Sequence, residues 1–253
     1  VVGLTFTIED PRVEYIKAKL GRLRGVLVLV SGKGGVGKST IATLVSLNLS
    51  SRGFSVSLLD MDLTNPTLHI ILGLSLTDMR IVEDRGVKPI DIWGIKFFSP
   101  VMFIGENPLP LRGSSIVNSL RELLLISNLE GVDVLLVDMP PSIKEEVLEI
   151  VKYNVKPLVI TTQDPLGFWS SKRLLRLLKD EGVSSVALIE NMAMEEKATL
   201  GDYIKSLGYT HLGVIPFDPA FHKAIGDVKS ILTSNLYNSV SNITDNIIKF
   251  LGI

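Results

Sequence analysis

The chain has no cysteine. Disulfides, zinc–thiolate centres and cysteine-held iron–sulfur clusters are therefore excluded for this chain acting alone. Histidine is scarce as well: His69, His211 and His222 are scattered without metal-ligand spacing. No apolar run approaches the ~18 residues that a membrane span requires. The first residues lack the basic, apolar, small-residue order of a secretion signal, and the chain opens at Val1 without methionine, as expected if a few residues precede it. Neither sign of charge dominates, with 26 basic against 27 acidic residues and a net charge of −1. Such a balance gives no overall pull toward nucleic acid or anionic lipid. There is no linker-like shift in composition, internal repeat or low-complexity tract. These absences fit a reducing, cytoplasmic setting, and one domain across 1–253.

What is present is a short buried-strand run, Val26 to Val30, followed by Gly32-Lys33-Gly34-Gly35-Val36-Gly37-Lys38-Ser39. The octet satisfies GxxxxGK[ST] at every fixed position. Beyond it, Ile41, Leu44, Val45 and Leu49 recur at helical spacing. Strand, glycine loop and helix are the setting in which such a loop grips a polyphosphate. Glycines let the main chain curl its N–H groups around the oxygens, and the helix N-terminus adds a favourable field. In this pattern Lys38 contacts the β- and γ-phosphates and the Ser39 hydroxyl holds Mg²⁺.

The same alternation continues along the chain. Apolar runs at 26–31, 55–61, 132–138, 156–162, 184–190 and 211–215 read as strands, and 12–23, 38–52, 114–127, 143–153, 167–181, 197–207 and 233–251 read as helices. Residues 90–98 read as a hairpin turning near Trp93-Gly94. Repeated βα units predict a mainly parallel sheet covered by helices on both faces, with ligands at the carboxyl ends of the strands. Two further strands end in acids. Asp60 and Asp62 close the run 55–61, where they can either reach a phosphate site or cap the helix expected near Pro66. Asp138 closes Val132–Val137 ahead of Met139-Pro140-Pro141, the form of a Walker B carboxylate that reaches Mg²⁺ through water.

Taken together, these residues resemble the Mrp/NBP35 (ApbC-like) branch of the MinD/ParA ATPases. The likeness runs from Arg24 to the C-terminus, leaving 1–23 as an N-terminal extension and 24–253 as the family-like core. Its most specific element is Ser31 to Thr40, a deviant Walker A. It is joined by Leu59-Asp60-Met61-Asp62, Arg112-Gly113, Asp138 to Pro141, Ile189-Glu190-Asn191-Met192 and Ile215 to Pro219. The resemblance implies a three-layer P-loop NTPase fold and a Mg-ATP-binding ATPase that switches homodimer state with ATP, with ATP or ADP and Mg²⁺ as its ligands. Nucleotide contacts are implied for Gly32 to Thr40, Asn191 at adenine, and Pro216 and Asp218 over the base. Lys33 corresponds to the signature lysine that crosses to the other subunit's nucleotide. Catalytic roles are implied for Lys33, Lys38, Asp62 as the switch I residue orienting water, and Asp138, with Ser39 and Asp138 at the metal.

Two departures shape the expectation. Where the branch carries CxxC, this chain reads Ala193-Met194-Glu195-Glu196-Lys197, so any role in iron–sulfur assembly runs through a cysteine-bearing client. Where switch II usually continues Gly-Thr-Gly-Asp, it reads Ser142-Ile143-Lys144-Glu145, and switch I reads Asn65-Pro66-Thr67 in place of Gly-Pro-Ser. Slow or partner-stimulated hydrolysis is the consequence. The alternatives are a positioning ATPase acting on membrane or DNA, and a nucleotide-binding scaffold with little turnover. The stripe Val240, Ile243, Ile247, Leu251 lacks the basic polar face of a membrane-targeting helix and reads as core. The basic residues Arg12, Lys17, Lys19, Arg22 and Arg24 read as a solvated helix face.

Overall fold

Short blocks of Val, Leu and Ile suit strands buried on both faces, and the centre of the molecule is built from them. In the computed structural model, which describes residues 10–105, 107, 111, 113–141, 145–195 and 197–253, β1 (Gly25–Val30) is buried from Val26 onward. Every residue of β2 (Val56–Asp60) and β5 (Val134–Asp138) is buried. With β3 (Ile90–Ile92), β4 (Ile95–Phe98), β6 (Lys156–Thr162), β7 (Ala187–Ala193) and β8 (Thr210–Pro216) they form one eight-stranded sheet in the order β3-β4-β2-β5-β1-β6-β7-β8. All neighbours run parallel except β3 and β4, which make the expected hairpin, with both Trp93 (φ 52°) and Gly94 (φ 81°) at its turn. Such paired positive φ angles match the twist of the flanking strands.

Helices cover both faces. α2 (Lys38–Ser51) packs on β1, β2 and β5 and is buried along Ile41–Leu49. α10 (Asn235–Leu251) lies across α2 and β8, with Val240, Ile243, Ile247 and Leu251 in the core, as its stripe predicts. α7 (Pro165–Asp180) packs on β6. No helix among the described residues is long and apolar enough to cross a membrane.

The basic N-terminal helix is more than a solvated face. α1 (Pro11–Leu20) packs on α5 (Ser114–Ile126) through buried Val13, Ile16 and Leu20. The Lys19 ammonium donates to the carbonyls of Leu124, Leu125 and Ser127, closing the C-terminus of α5 at 2.5–2.8 Å. Burial pushes its pKa down to about 8. Arg121 of α5 joins Asp10 (2.9 Å) to Glu149 (2.6 and 2.9 Å), a residue of α6 (Glu145–Ile150). Burial opposes ionisation of Glu149, but Arg121, Tyr153 and Lys152 outweigh it and hold the carboxyl at about 2.

Boundaries shift where caps or site residues intervene. α7 starts at Pro165, two residues early, because Asp164 caps it. The strand expected at 184–190 runs from 187 to 193 and carries Asn191 inside it. The helix placed at 197–207 contracts to α8 (Gly201–Ser206), and 143–153 resolves into α6 plus a 3-10 turn over Val151–Tyr153. Past Pro66, α3 is a single turn at Leu68–Ile71. Two short helices, α4 (Val101–Ile104) and α9 (Val228–Leu232), fall outside the sequence reading.

Candidate functional site

β1 sits between β5 and β6, where the strand order reverses, and its carboxyl end opens directly into the glycine loop. The loop encloses a cavity of about 260 Å³ lined by Ser31, Gly34 to Thr40, Asp62, Asn65, Thr67, Ile71 and Pro141. Gly37 precedes α2 with φ 80°, and a Cβ there would overlap the Asn191 amide, so only glycine fits. Gly32 is equally constrained: a Cβ would stand 2.6 Å from the Ser170 carbonyl oxygen of α7.

Beneath the loop lies a buried charge cluster. The register pairs Leu29 of β1 and Asp60 of β2 with Asp138 of β5. The Lys38 ammonium donates to Asp138 Oδ1, with 6% and 1% of the two side chains exposed. The Ser39 hydroxyl lies close enough to Asp138 to favour its ionised form. Burial pushes the Asp138 carboxyl above the usual range, while Lys38 and Ser39 pull it back. Asp60 is raised well above that range by burial first and by the Asp138 charge second. It accepts from Asp62 N (3.1 Å) and Leu68 N (3.4 Å), so it braces the segment 62–68. Asp62 Oδ1 in turn accepts from Thr64 Oγ1 (2.9 Å) and Asn65 N (3.0 Å). Asp60 thus organises the segment that leads into α3, and Asp62 lines the cavity.

Asn191 reaches the loop from β7. Its Nδ2 donates to the Val36 carbonyl (2.8 Å), while its buried Oδ1 has no hydrogen-bond partner among the described residues. The neighbouring Glu190 accepts from His211 Nε2, Leu200 N, Thr199 N and Thr199 Oγ1, which overcome its burial and hold it at about 2, and Gln163 Nε2 also donates to it. Pro216 and Asp218 stand at the end of β8, outside the phosphate cavity. Asp218 Oδ1 accepts from Ala220 N, and Phe217 N donates to Ala193 O. Ser142, Ile143 and Lys144 of switch II lie outside the described residues, as do Arg112 and Glu196.

Lys33 is not among the residues that line the cavity. Its ammonium pairs with Asp164 Oδ2 at 2.7 Å. Asp164 was not singled out from the sequence, although Asp-Pro opening a helical run is a capping signal.

Among the described residues no group of three or more His, Asp or Glu forms a metal cage. The Ser39 hydroxyl and the Asp138 carboxylate are hard oxygen donors of the kind that suit an ion retaining water and phosphate oxygens.

A parallel sheet with a glycine loop between its central strand and α2, Lys38 at the loop's end and an acid closing the adjacent strand define a P-loop NTPase fold. The chain belongs to the ParA family, whose profile, described as "NUBPL iron-transfer P-loop NTPase", matches residues 22–251. It is 28% identical over 255 residues to a cytosolic Fe-S cluster assembly factor Nubp2 homolog of Drosophila virilis, covering 92% of this chain and 95% of that one. It is 26% identical over 222 residues to an iron-sulfur cluster carrier protein of Aquifex aeolicus, covering 81% of this chain and 61% of that longer one. Among solved structures, a nucleotide-binding protein in complex with ADP from Archaeoglobus fulgidus superposes with TM-score 0.68 at 22% identity, covering 89% and 95% of the two chains. MinD complexed with Mg-ADP from Pyrococcus horikoshii superposes with TM-score 0.63 at 20% identity, covering 90% and 97%. These likenesses establish the three-layer fold.

Proposed function

We propose that the protein binds Mg-ATP in the loop cavity and uses it to switch between monomer and homodimer, acting as an adaptor or carrier in iron–sulfur cluster assembly. The observation that carries the reading is the buried Lys38–Asp138 pair beneath the loop. An ammonium kept there by a single carboxylate is ready to be shared with a β- or γ-phosphate, while Asp138 and Ser39 turn toward the metal. The Mg²⁺ ion supplies charge neutralisation of the phosphate oxygens. The backbone N–H groups of Gly34 to Lys38 grip the phosphates, and the start of α2 contributes its dipole. The unpartnered Oδ1 of Asn191 is an acceptor suited to the adenine amino group.

Asp62 is the residue we assign to orienting the attacking water, because it reaches the cavity while Asp60 fixes its backbone. Lys33 is assigned across the dimer, where its charge offsets two facing triphosphates. Hydrolysis is expected to be slow without a partner, given the altered switch II. With no thiol of its own, the chain works on a client that brings the cysteines. The names of the Nubp2 and iron–sulfur carrier relatives support that assignment.

Titration calorimetry with Mg-ATP, paired with light scattering in Mg-ATP, Mg-ADP and neither, tests the reading. Heat of binding and an ATP-specific doubling of mass are expected. Absence of heat for any nucleotide ends it.

A further inference from the structure

Asp164 has two jobs, and they fall on different oxygens. Its Oδ1 accepts from Leu166 N and Gly167 N, both at 3.0 Å, and so caps α7. Its Oδ2 accepts from the Lys33 ammonium at 2.7 Å and from the Thr162 hydroxyl. Lys33 and Thr162 hold the carboxyl well below the usual carboxylate range, so it stays charged at any working pH. The loop and the helix are also locked sterically, because Gly32 lies against the Ser170 carbonyl. Lys33 therefore starts out tied to its own chain, 29% exposed, with its charge already spent on Asp164.

We propose that Asp164 is a positioning residue for Lys33, a latch that holds the lysine in cis and must release it before it can serve a second copy of this chain. The inference deepens the reading of the site as an ATP-dependent dimerisation site and rests on it. A symmetric dimer opens two latches. A half-exposed ion pair within its usual range corresponds to about a twofold effect each, hence about fourfold on the dimer dissociation constant. The latch sets a threshold: closure waits for two triphosphates whose attraction for the lysine exceeds that of Asp164.

Asp164→Asn and Asp164→Ser test this, since both residues cap helices well but carry no charge. Dimer dissociation constants are measured by analytical ultracentrifugation with Mg-ATP and with Mg-ADP. Monomer nucleotide affinity is measured by calorimetry, and melting by circular dichroism checks the cap. Expected is about fourfold tighter ATP-dependent dimerisation in both variants with nucleotide affinity unchanged, and no difference between Lys33→Ala and Lys33→Ala/Asp164→Asn. Wild-type-like dimerisation in the uncharged variants, or tightening that persists without Lys33, overturns the latch alone. A wild type that binds nucleotide but never dimerises, or binds none, brings down the functional reading and the latch with it.

Discussion

Removing Lys38 should do two separable kinds of damage. In Lys38→Ala the carboxylate of Asp138, 1% exposed, loses the ammonium that compensates it. Deleting one partner of a buried pair costs about 3–5 kcal/mol. Asp138 also lies beside Asp60, itself fully enclosed, so the loss is felt by two acids. Because the Asp138 carboxyl already titrates above its usual value, and will do so more strongly without Lys38, the variant can escape by protonating. For an acid with a raised folded pKa, the neutral form favours folding, and the deficit grows as pH rises through that value. The shortfall should thus be greatest near pH 8 and smaller near pH 5. Adding Asp138→Asn removes the uncompensated charge and should return most of the stability, to within about 1 kcal/mol of wild type. Neither variant should bind Mg-ATP. Urea unfolding followed by far-ultraviolet circular dichroism at both pH values, with calorimetry alongside, measures all of this. If Lys38→Ala is as stable as wild type at pH 8, or the double variant recovers nothing, the electrostatic account of the cluster is wrong.

Lys33→Ala should keep Mg-ATP affinity within about twofold by calorimetry yet lose the ATP-dependent mass increase in light scattering, since an exposed pair contributes little to folding or local binding. Asn191→Leu, which removes the unpartnered acceptor and the link to Val36, should weaken ATP by about tenfold, consistent with a lost buried hydrogen bond of ~1.4 kcal/mol. Discrimination between ATP and GTP should shrink in the same titration. Glu190 has a folded pKa near 2 against 4.5 for the free side chain, so it contributes stability above about pH 4.5 that is lost as pH falls toward 2. Glu190→Gln should flatten that acid limb of a thermal-melt series, and an unchanged limb would assign the acid sensitivity elsewhere.

The glycine loop, the strand blocks and Asp138 were legible because each signal is local: a spacing, a run, a terminal acid. The hairpin at Trp93-Gly94 was legible for the same reason. β7 was placed three residues early, because Asn191 to Ala193 extend the strand beyond the apolar run that ends at Ile189-Glu190. α4 and α9 are too short to show a period, and α3 was signalled only by the Asx and Pro residues before it. The Lys33–Asp164 pair was hidden for a deeper reason. The residues stand 131 positions apart, and only the sheet order that places β6 next to β1 brings the α7 cap to the loop. Asp60 and Asp62 were likewise indistinguishable until the register showed which one stands opposite Asp138.

The family profile begins at residue 22, after α1 has ended, yet Lys19 plugs the open end of α5 and Asp10 leans on Arg121. A chain trimmed to start at Arg24 would strip three carbonyl oxygens of their donor and uncover Val13's, Ile16's and Leu20's seat on α5. α1 is thus a keystone wedged into the core, and pulling it out should loosen α6, which Arg121 ties to Asp10 through Glu149.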